Sequence, residues 1–489
     1  MIVETLGALV LMAAAVGGAL VLAGVAAVGG RWLPRRPGAA VPYGLAAILL
    51  ASAVATLFSG RTLALSGVST ADIGSGALHP AVTWTLRGVS LLLLAIAAER
   101  LLHGLGRRIG RSATAAVLLP AFVAFWLTTV AVPALFAAHP RLSHDFVYPL
   151  FIGIAAILLP PAEGERAIVI GRNALLVFLV VSLALIPLAP QMVMDSTYNQ
   201  GYIVGLPRLA GLAPHAVSLG MLAQLAMFCL WVRPLAQRSL NLAAWGIALA
   251  VLVLAQSKTA WLSTLLCFGA MALVRHGGTI RRRLGDPGRP AAGLIAALGL
   301  AAGLILAVGI AAVFGDVGAR LERFFDSAEG AQLTSLTGRD RIWEISFAEW
   351  RRHPVFGYGP LLFDEAYRQS IGLLNATHAH NQFIDTLARS GLVGALGLTA
   401  YFIVLLVYSL KHARASGGLS IALFIAVAFR CVSEIPLSAF RYGPEFILHM
   451  MLLFALVGTG GAQASGAEDL AGRMRSPPGE PVGLAAEGA

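Results

Sequence analysis

Two histidines, an asparagine and an aspartate stand together just before one of the predicted apolar helices. His378, His380, Asn381 and Asp385 occur in HAHNQFID, and a glycine-containing apolar run follows. The free N–H groups and partial positive charge of a helix N-terminus favour an anion, and a histidine there can act as a base near neutral pH. Asp385 lies one turn after Asn381 and could orient either side chain. The pattern indicates an anion-binding acid–base site, with simple capping of the helix as the alternative.

Metal binding is less favoured by this spacing. His378 and His380 supply two imidazoles, and the sequence shows no obvious third ligand beside them. The chain also contains no Asp-x-Asp motif. We therefore expect chemistry that needs no metal ion and no other cofactor.

A second group of candidates lies in the stretch TGRDRIWEISFAEWRRHP. Arg339, Trp343, Phe347 and Trp350 recur at helical spacing and share one face. Two tryptophans on one face are typical of a helix in the membrane interface, where Arg339 would reach phosphate groups. Arg341 lies about 200° round the helix from Arg339, so both would bind one phosphate only if the helix start were irregular. The alternative is an ordinary amphipathic helix that its arginines anchor.

Further charged or titratable residues stand where apolar runs end. Lys258 in SKT occupies the turn between two short spans, and a lysine at membrane depth is a functional candidate unless it reaches the interface. Arg208 and His215 stand where an outer loop meets a span. Glu434 and Arg441 flank the last outer loop, and for these two we expect an ion pair inside the bundle.

The composition places these residues in an integral membrane protein. The 489 residues are 58% hydrophobic and 12% charged, with a mean hydropathy of +0.79, and runs of about 20 apolar residues match a bilayer core. The net charge of +11 arises from short Lys and Arg clusters between apolar runs. This is typical of cytoplasmic loops rather than of a nucleic-acid-binding surface. The lipid bilayer is therefore an expected partner and nucleic acid is not.

The alternation of apolar runs and basic clusters predicts an all-α polytopic membrane protein with about 12–13 transmembrane helices. With every basic cluster in the cytoplasm, the N-terminus is outside and the C-terminus inside. The predicted spans are 5–29, 41–58, 83–99, 113–137, 146–161, 170–189, 214–232, 240–256, 259–274, 291–314, 391–410, 418–434 and 444–461.

Four segments follow from this map. Residues 1–315 hold spans 1–10, residues 316–390 form one large extracytoplasmic loop, and residues 391–462 hold spans 11–13. Residues 463–489 are predicted to be a disordered cytoplasmic tail. The large loop is polar without being of low complexity, and loops of that length are usually functional when they are ordered. We therefore expect the active region in this loop.

Three of the stretches that contain the candidate residues together resemble motifs of the O-antigen ligase and O-antigen polymerase family of membrane glycosyltransferases. SKTAWLS resembles the family's Ser-Arg-Thr turn, and TGRDRIWEISFAEWRRHPVFGYGP resembles its Gly-Arg, Trp, His-Pro and Gly-x-Gly run. HAHNQFIDTLARSGLVGALGL resembles its His-Asn segment and the glycine-started helix that follows. PRLAGLAPHAVSLG is a looser fourth match. The four matches cover roughly residues 200–400 and keep the family's order.

The resemblance implies a helical bundle similar to that of lipid-donor (GT-C-like) glycosyltransferases. It implies that His380 is the catalytic base and that Arg339 binds the donor diphosphate. Lys258 occupies the position of the family's usual arginine. The lysine keeps the positive charge but cannot bind phosphate bidentately. His215 stands where the family more often has asparagine. The other candidate substrate-binding residues are Arg208, Arg341, His378, Asn381 and Asp385.

The implied reaction moves a glycan from an undecaprenyl-diphosphate donor to an acceptor hydroxyl at the periplasmic face of a bacterial inner membrane. The acceptor is a second lipid-linked glycan in a polymerase, a lipid A core in a ligase, and a protein in an O-oligosaccharyltransferase. The sequence does not separate these three. A non-enzymatic transporter or flippase of lipid-linked glycans is the alternative from another class. It is disfavoured because transporter sites lie near the midplane of repeated halves, whereas these candidates gather at the outer face.

Overall fold

The computed structural model describes residues 38–63, 79–106, 112–196, 206–284, 339–374 and 376–475. The predicted spans at 5–29 and 291–314 lie outside these residues, as do the first part of the large loop and residues 476–489 of the predicted tail. Each of the other eleven predicted spans falls on an observed helix.

Thirteen helices of more than four residues are described, and two residue pairs form a short antiparallel ladder. Four helices are long and apolar enough to cross a membrane, and six shorter apolar helices accompany them in the described part of the chain; the four long ones are Pro80–His103, Ala113–Phe136, Pro161–Leu188 and Gln382–Lys411. The helices are α1 Tyr43–Leu57, α2 Pro80–Gly106, α3 Ala113–Phe136, α4 Val147–Ile157, α5 Pro161–Leu188, α6 Ala216–Val232, α7 Arg238–Leu254, α8 Lys258–Leu284, α9 Arg339–Arg352, α10 Glu365–Ile371, α11 Gln382–Lys411, α12 Leu419–Ser433 and α13 Pro444–Arg475; the strands are β1 Met194–Asp195 and β2 Arg208–Leu209.

Three helices extend well beyond the predicted spans. α5 begins at Pro161, so residues 162–169, which separate two predicted spans, form its first turns. Proline at the first position favours this start because its φ angle already suits a helix. α8 continues to Leu284, and α13 continues to Arg475 into the segment predicted as a disordered tail. A hydropathy pattern marks where the apolar residues end, which need not be where the helix ends.

The centre of the bundle is formed by α6 and α13. Both are buried on almost every side, from Leu219 to Leu230 in α6 and from Phe446 to Val457 in α13. A helix that is apolar all round is typical of such a central position. The outer helices instead leave large apolar side chains exposed, such as Leu188, Leu265 and Leu396. Such an apolar outer surface suits contact with lipid.

The described part of the large loop has a small hydrophobic core of its own. Leu362, Phe363, Tyr367, Ala379 and Ala388 are buried together. α9, α10 and the first half of α11 surround this cluster. The loop is therefore packed against the start of α11, where the candidate histidines lie.

A break in α11 connects this packed loop to the bundle. Gly391 has φ 60° and ψ −160°, which is not helical. The segment 354–359 supplies the hydrogen bonds that the break removes: Leu392 N–H donates to the Pro354 carbonyl and Tyr358 N–H to the Ala388 carbonyl, both at 2.8 Å. A Cβ on Gly391 would lie 2.2 Å from the Val355 carbonyl oxygen, so this approach requires glycine. The HPVFGYG run therefore holds in place, through backbone hydrogen bonds, the end of α11 that contains the candidate residues.

Candidate active site

The start of α11 presents both histidines on a constrained backbone. Asn381 caps the helix, and its Oδ1 accepts the N–H groups of Phe383 and Ile384 at 3.0 and 3.1 Å. His380 has φ 49°, in the left-handed region that side chains disfavour. Its N–H donates to Nδ1 of His378 at 3.0 Å. Asn381 therefore caps the helix, as the alternative interpretation expected. The neighbouring His380 has an unusual backbone conformation of the kind found at functional sites.

Glu434, the residue after α12, completes the histidine pair. Its Oε2 lies 3.4 Å from Nε2 of His378 and 3.4 Å from Nδ1 of His380. The second contact is electrostatic, because Nδ1 of His380 has no well-aligned hydrogen bond. The predicted ion pair between Glu434 and Arg441 is wrong: the end of α12 directs the carboxylate toward α11, whereas Arg441 is exposed.

The protonation states follow from burial and neighbouring charges. Burial raises the pKa of Glu434, but the contact with His380 and the charges of Arg430 and His378 outweigh it and lower the pKa to about 2. Burial and the adjacent His380 lower the pKa of His378 to about 4 against the opposing pull of Glu434. Glu434 is therefore ionised and His378 neutral at pH 7. Because Nδ1 of His378 accepts a hydrogen bond, its Nε2 carries the proton and faces Glu434.

Arg430 supplies positive charge next to Glu434 while holding three helices together. Its guanidinium is buried and makes a bidentate ion pair with Glu445, with Nε 2.7 Å from Oε2. Ser218 donates to the same carboxylate at 2.9 Å. The network joins α12, α13 and α6 and fixes the position of Glu434 at the end of α12.

Asp385 positions the backbone next to His380 rather than an imidazole. Its Oδ1 accepts the N–H of Ala379 at 3.0 Å, and its Oδ2 accepts from Nε of Arg389 at 2.9 Å. Arg389 also donates to the carbonyls of Pro360 and Thr377 at 3.2 and 3.3 Å. Arg389 was not among the predicted site residues, although its i,i+4 spacing from Asp385 was a usable signal.

The turn that contains Lys258 is bonded to the segment that contains Arg208. Nε of Arg208 donates to the Ala255 carbonyl at 2.8 Å, and the Gln256 amide donates to the Leu206 carbonyl at 2.8 Å. Gln256 has φ 45°, a second strained non-glycine residue. Lys258 begins α8 directly after this turn, as predicted. The structure thus brings two of the predicted cationic residues into one neighbourhood.

His215 interacts electrostatically both with Arg208 and with the group formed by His380 and Glu434. It precedes α6, where burial lowers its pKa, Glu434 opposes the shift, and the charges of Arg61, Arg208 and His380 add to it. His215 therefore lies within electrostatic reach of both groups. Arg61 is a site residue that the sequence analysis missed. It is buried, and its guanidinium donates to backbone carbonyls, including that of Ala213 at 2.8 Å.

An apolar cavity opens beside His215 and Arg61. Its volume is about 420 Å³, and most of its lining is apolar, with side chains from α1, α2 and residues 442–444. Burial lowers the pKa of Arg61 to about 10, so the guanidinium stays charged at neutral pH. The cavity thus combines a largely apolar lining with a fixed cation.

α9 places Arg339 and Arg341 in different surroundings. Nε1 of Trp343 donates to the Ala379 carbonyl at 2.8 Å, so this face of α9 packs next to His380. Arg339 lies one turn earlier on the same face. Arg341 is exposed and pairs with Glu344 at 3.2 Å. The two arginines diverge as the helical spacing predicts.

Comparison with known proteins relates part of the chain to a family. Residues 242–399 match the family model described as O-antigen ligase. This segment is O-antigen ligase-like. No curated protein matches it significantly. The match supports a membrane glycosyltransferase of the glycan ligase or polymerase kind, and the family implies a lipid-linked glycan donor and a glycan acceptor.

The O-antigen ligase segment contains only part of the site. Lys258, Arg339, Arg341 and the stretch 378–385 lie within it, whereas Arg208, His215 and Glu434 lie outside. Glu434 stands 54 positions after His380, so sequence spacing gave no sign of their contact. The candidate site of this O-antigen ligase-like protein therefore includes residues at the ends of elements beyond the matched segment.

The same O-antigen ligase-like site offers a group that could hold a cation. One ligand atom each from His378, His380 and Glu434 lies within 4.8 Å of the others. Two imidazoles and a carboxylate are a ligand set that suits zinc and leave a fourth position open. The sequence indicated no third ligand because Glu434 reaches the histidines only through the tertiary fold.

Proposed function

We propose that the protein transfers a glycan from an undecaprenyl-diphosphate donor to an acceptor hydroxyl at the periplasmic face of the inner membrane. The acceptor oxygen attacks the anomeric carbon, a new glycosidic bond forms, and the bond from that carbon to the diphosphate breaks. His380 receives the hydroxyl proton, and the lipid diphosphate departs. The reaction requires no oxidant and no metal ion.

The observation that carries this proposal is the contact of His380 with ionised Glu434 inside a strained backbone. A base that accepts a proton becomes an imidazolium, and a carboxylate 3.4 Å away stabilises that charge. Neutral His378 keeps the carboxylate oriented through its Nε2 proton. The arrangement favours His380 over His378 as the base, because His378 uses its Nδ1 to accept the His380 N–H.

The leaving diphosphate needs cations at the same face of the membrane. Arg339 and Lys258 are the proposed partners, with Arg208 and His215 beside them. Stabilising the charge that grows on the leaving group is usually the largest contribution in such a reaction. The adjacent apolar cavity with Arg61 at its end suits the first part of a lipid chain attached to that diphosphate.

Reconstitution with a defined donor tests the proposal. Purified protein in liposomes would receive a lipid-diphosphate glycan and an acceptor, and the glycosidic product would be measured. We expect His380→Ala to fold normally and to lose product formation. The matched control is His144→Ala, at a histidine whose side chain is 52% exposed, and it should keep wild-type activity. Full activity of His380→Ala would exclude His380 as the base.

Additional arms of the experiment separate the remaining alternatives. A second lipid-linked glycan, a lipid A core and a serine- or threonine-containing protein would be supplied in turn, and the acceptor that is modified defines the subclass. Loss of activity with a chelator, restored by added zinc, would contradict metal independence and implicate His378, His380 and Glu434. Movement of the donor across the membrane without a glycosidic product would favour a transporter.

A further inference from the structure

A second cavity lies at the end of the bundle opposite to the histidines. Its lining includes Arg233, directly after α6, and Arg414, in the turn after α11. The candidate active-site residues His215 and Asn381 precede the same two helices. α6 has 17 residues, so the two ends are about 25 Å apart. This cavity is therefore separate from the candidate active site.

Three arginines from three distant parts of the chain converge on this cavity. They are Arg233, Arg275 of α8 and Arg414, and Glu165 is the one acidic residue among the described residues that line it. Glu165 pairs with Arg233 at 3.0 Å. The cavity therefore keeps two positive charges in excess. Arg275 and Arg414 are exposed and can reach an incoming anion.

Beside the arginines, part of the cavity wall is apolar. Trp231, Val274, Leu419 and Phe454 are among its lining residues, and its volume is about 740 Å³. The indole Nε1 of Trp231 is buried without a hydrogen-bond partner. Exposed arginines next to apolar side chains in one cavity match a molecule with an anionic head and a hydrocarbon tail.

We propose that this arginine cavity binds the phosphate headgroup of an anionic membrane lipid. Arginine binds phosphate oxygens bidentately, and basic pockets between transmembrane helices on the cytoplasmic side suit anionic lipid headgroups. The basic clusters predict that this end of the bundle is cytoplasmic. The positive-inside pattern needs only that arginines lie somewhere in the cytoplasmic loops, whereas these three line one cavity together with apolar side chains. A free phosphate would contact the arginines and leave the apolar part of the lining without a function.

Native mass spectrometry of the full chain in neutral detergent tests this assignment. The protein would be titrated with short-chain phosphatidylglycerol, with short-chain phosphatidylcholine and with glycerol 3-phosphate. The test variant carries Arg275→Gln and Arg414→Gln, and a rescue variant carries Arg275→Lys and Arg414→Lys. The charge-matched control carries Arg238→Gln and Arg351→Gln, at exposed arginines that do not line the cavity.

We expect phosphatidylglycerol to bind the wild-type, control and rescue proteins. The glutamine variant should bind it about 30-fold more weakly, which corresponds to about 2 kcal/mol at 1.4 kcal/mol per tenfold and about 1 kcal/mol per basic residue. Equal binding by all four proteins would overturn the proposal. If phosphatidylcholine bound as tightly as phosphatidylglycerol, the net negative charge of the headgroup would not be what the arginines recognise. Glycerol 3-phosphate binding as tightly as the lipid would identify a free-phosphate site instead.

Discussion

The buried carboxylate of Asp385 bridges the guanidinium of Arg389 and the peptide N–H that precedes His380. The ion pair is 2.9 Å long, and the N–H contact from Ala379 is 3.0 Å. Asp385 therefore acts on the proposed catalytic histidine through the backbone. Its role is to hold His380 in the left-handed conformation that directs the imidazole toward Glu434.

Asp385→Asn should lower both stability and activity. The amide leaves Arg389 buried without its counter-charge, and removing one partner of a buried pair costs about 3–5 kcal/mol. Thermal unfolding in detergent would show a lower midpoint, and transfer would fall through a lower kcat. The control is Asp364→Asn, at the cap of α10, whose Oδ1 accepts the N–H of Tyr367. An amide oxygen can still make that bond, so little should change there.

Glu434→Gln should reduce turnover with little change in donor affinity. The carboxylate stabilises the imidazolium formed at His380, and general base catalysis contributes about 10²–10⁴-fold. We expect kcat to fall within that range while KM stays close to wild type. Steady-state transfer assays with the reconstituted protein measure both values. A large increase in KM with unchanged kcat would show that Glu434 binds substrate instead.

Several parts of the fold and site followed from local sequence, and others did not. Apolar runs placed eleven spans because backbone hydrogen bonding in lipid permits only helices or closed barrels, and the turn at Lys258 and the cap at Asn381 were local signals. The partner of His380 was not predictable, because Glu434 reaches it by a tertiary contact. The same reason explains why Arg61, which bonds to carbonyls more than 100 positions away, went unnoticed.

The stability of the protein should decrease as pH falls from 6.5 toward 2. His378 has its pKa lowered to about 4 in the folded protein, so the unfolded chain binds its proton first and stability is lost between about 6.5 and 4. Glu434 has its pKa lowered to about 2, so its contribution is complete above about 4.5 and is lost as pH falls toward 2. Unfolding midpoints in detergent across this range measure the effect. His378→Asn should reduce the slope of the upper part, where buried His215 also contributes, and an unchanged curve would contradict the assignment.

Lys258 should tolerate arginine but not glutamine. Arginine keeps the charge and adds bidentate phosphate binding, whereas glutamine removes the charge that stabilises the leaving diphosphate. We expect Lys258→Gln to lower kcat by about 10²–10³-fold, comparable to the loss of one donor that stabilises developing charge. Lys258→Arg should keep at least wild-type kcat. Equal activity of the wild type, Lys258→Gln and Lys258→Arg would show that Lys258 does not stabilise the leaving diphosphate.

Gly391→Ala should disconnect the packed loop from the bundle. The φ angle of 60° disfavours any side chain, and a Cβ would lie 2.2 Å from the Val355 carbonyl oxygen. The strained angle and the forced backbone shift together cost about 2–4 kcal/mol. Because segment 354–359 and the start of α11 share these hydrogen bonds, transfer should fall with stability. Gly246→Ala is the matched control: Gly246 lies within α7 with nothing within 4 Å of an added Cβ, so it should be neutral or stabilising by about 0.5–1 kcal/mol. Thermal unfolding and transfer assays on both variants measure the difference, and equal behaviour of the two alanines would show that the break in α11 is not required to hold the site.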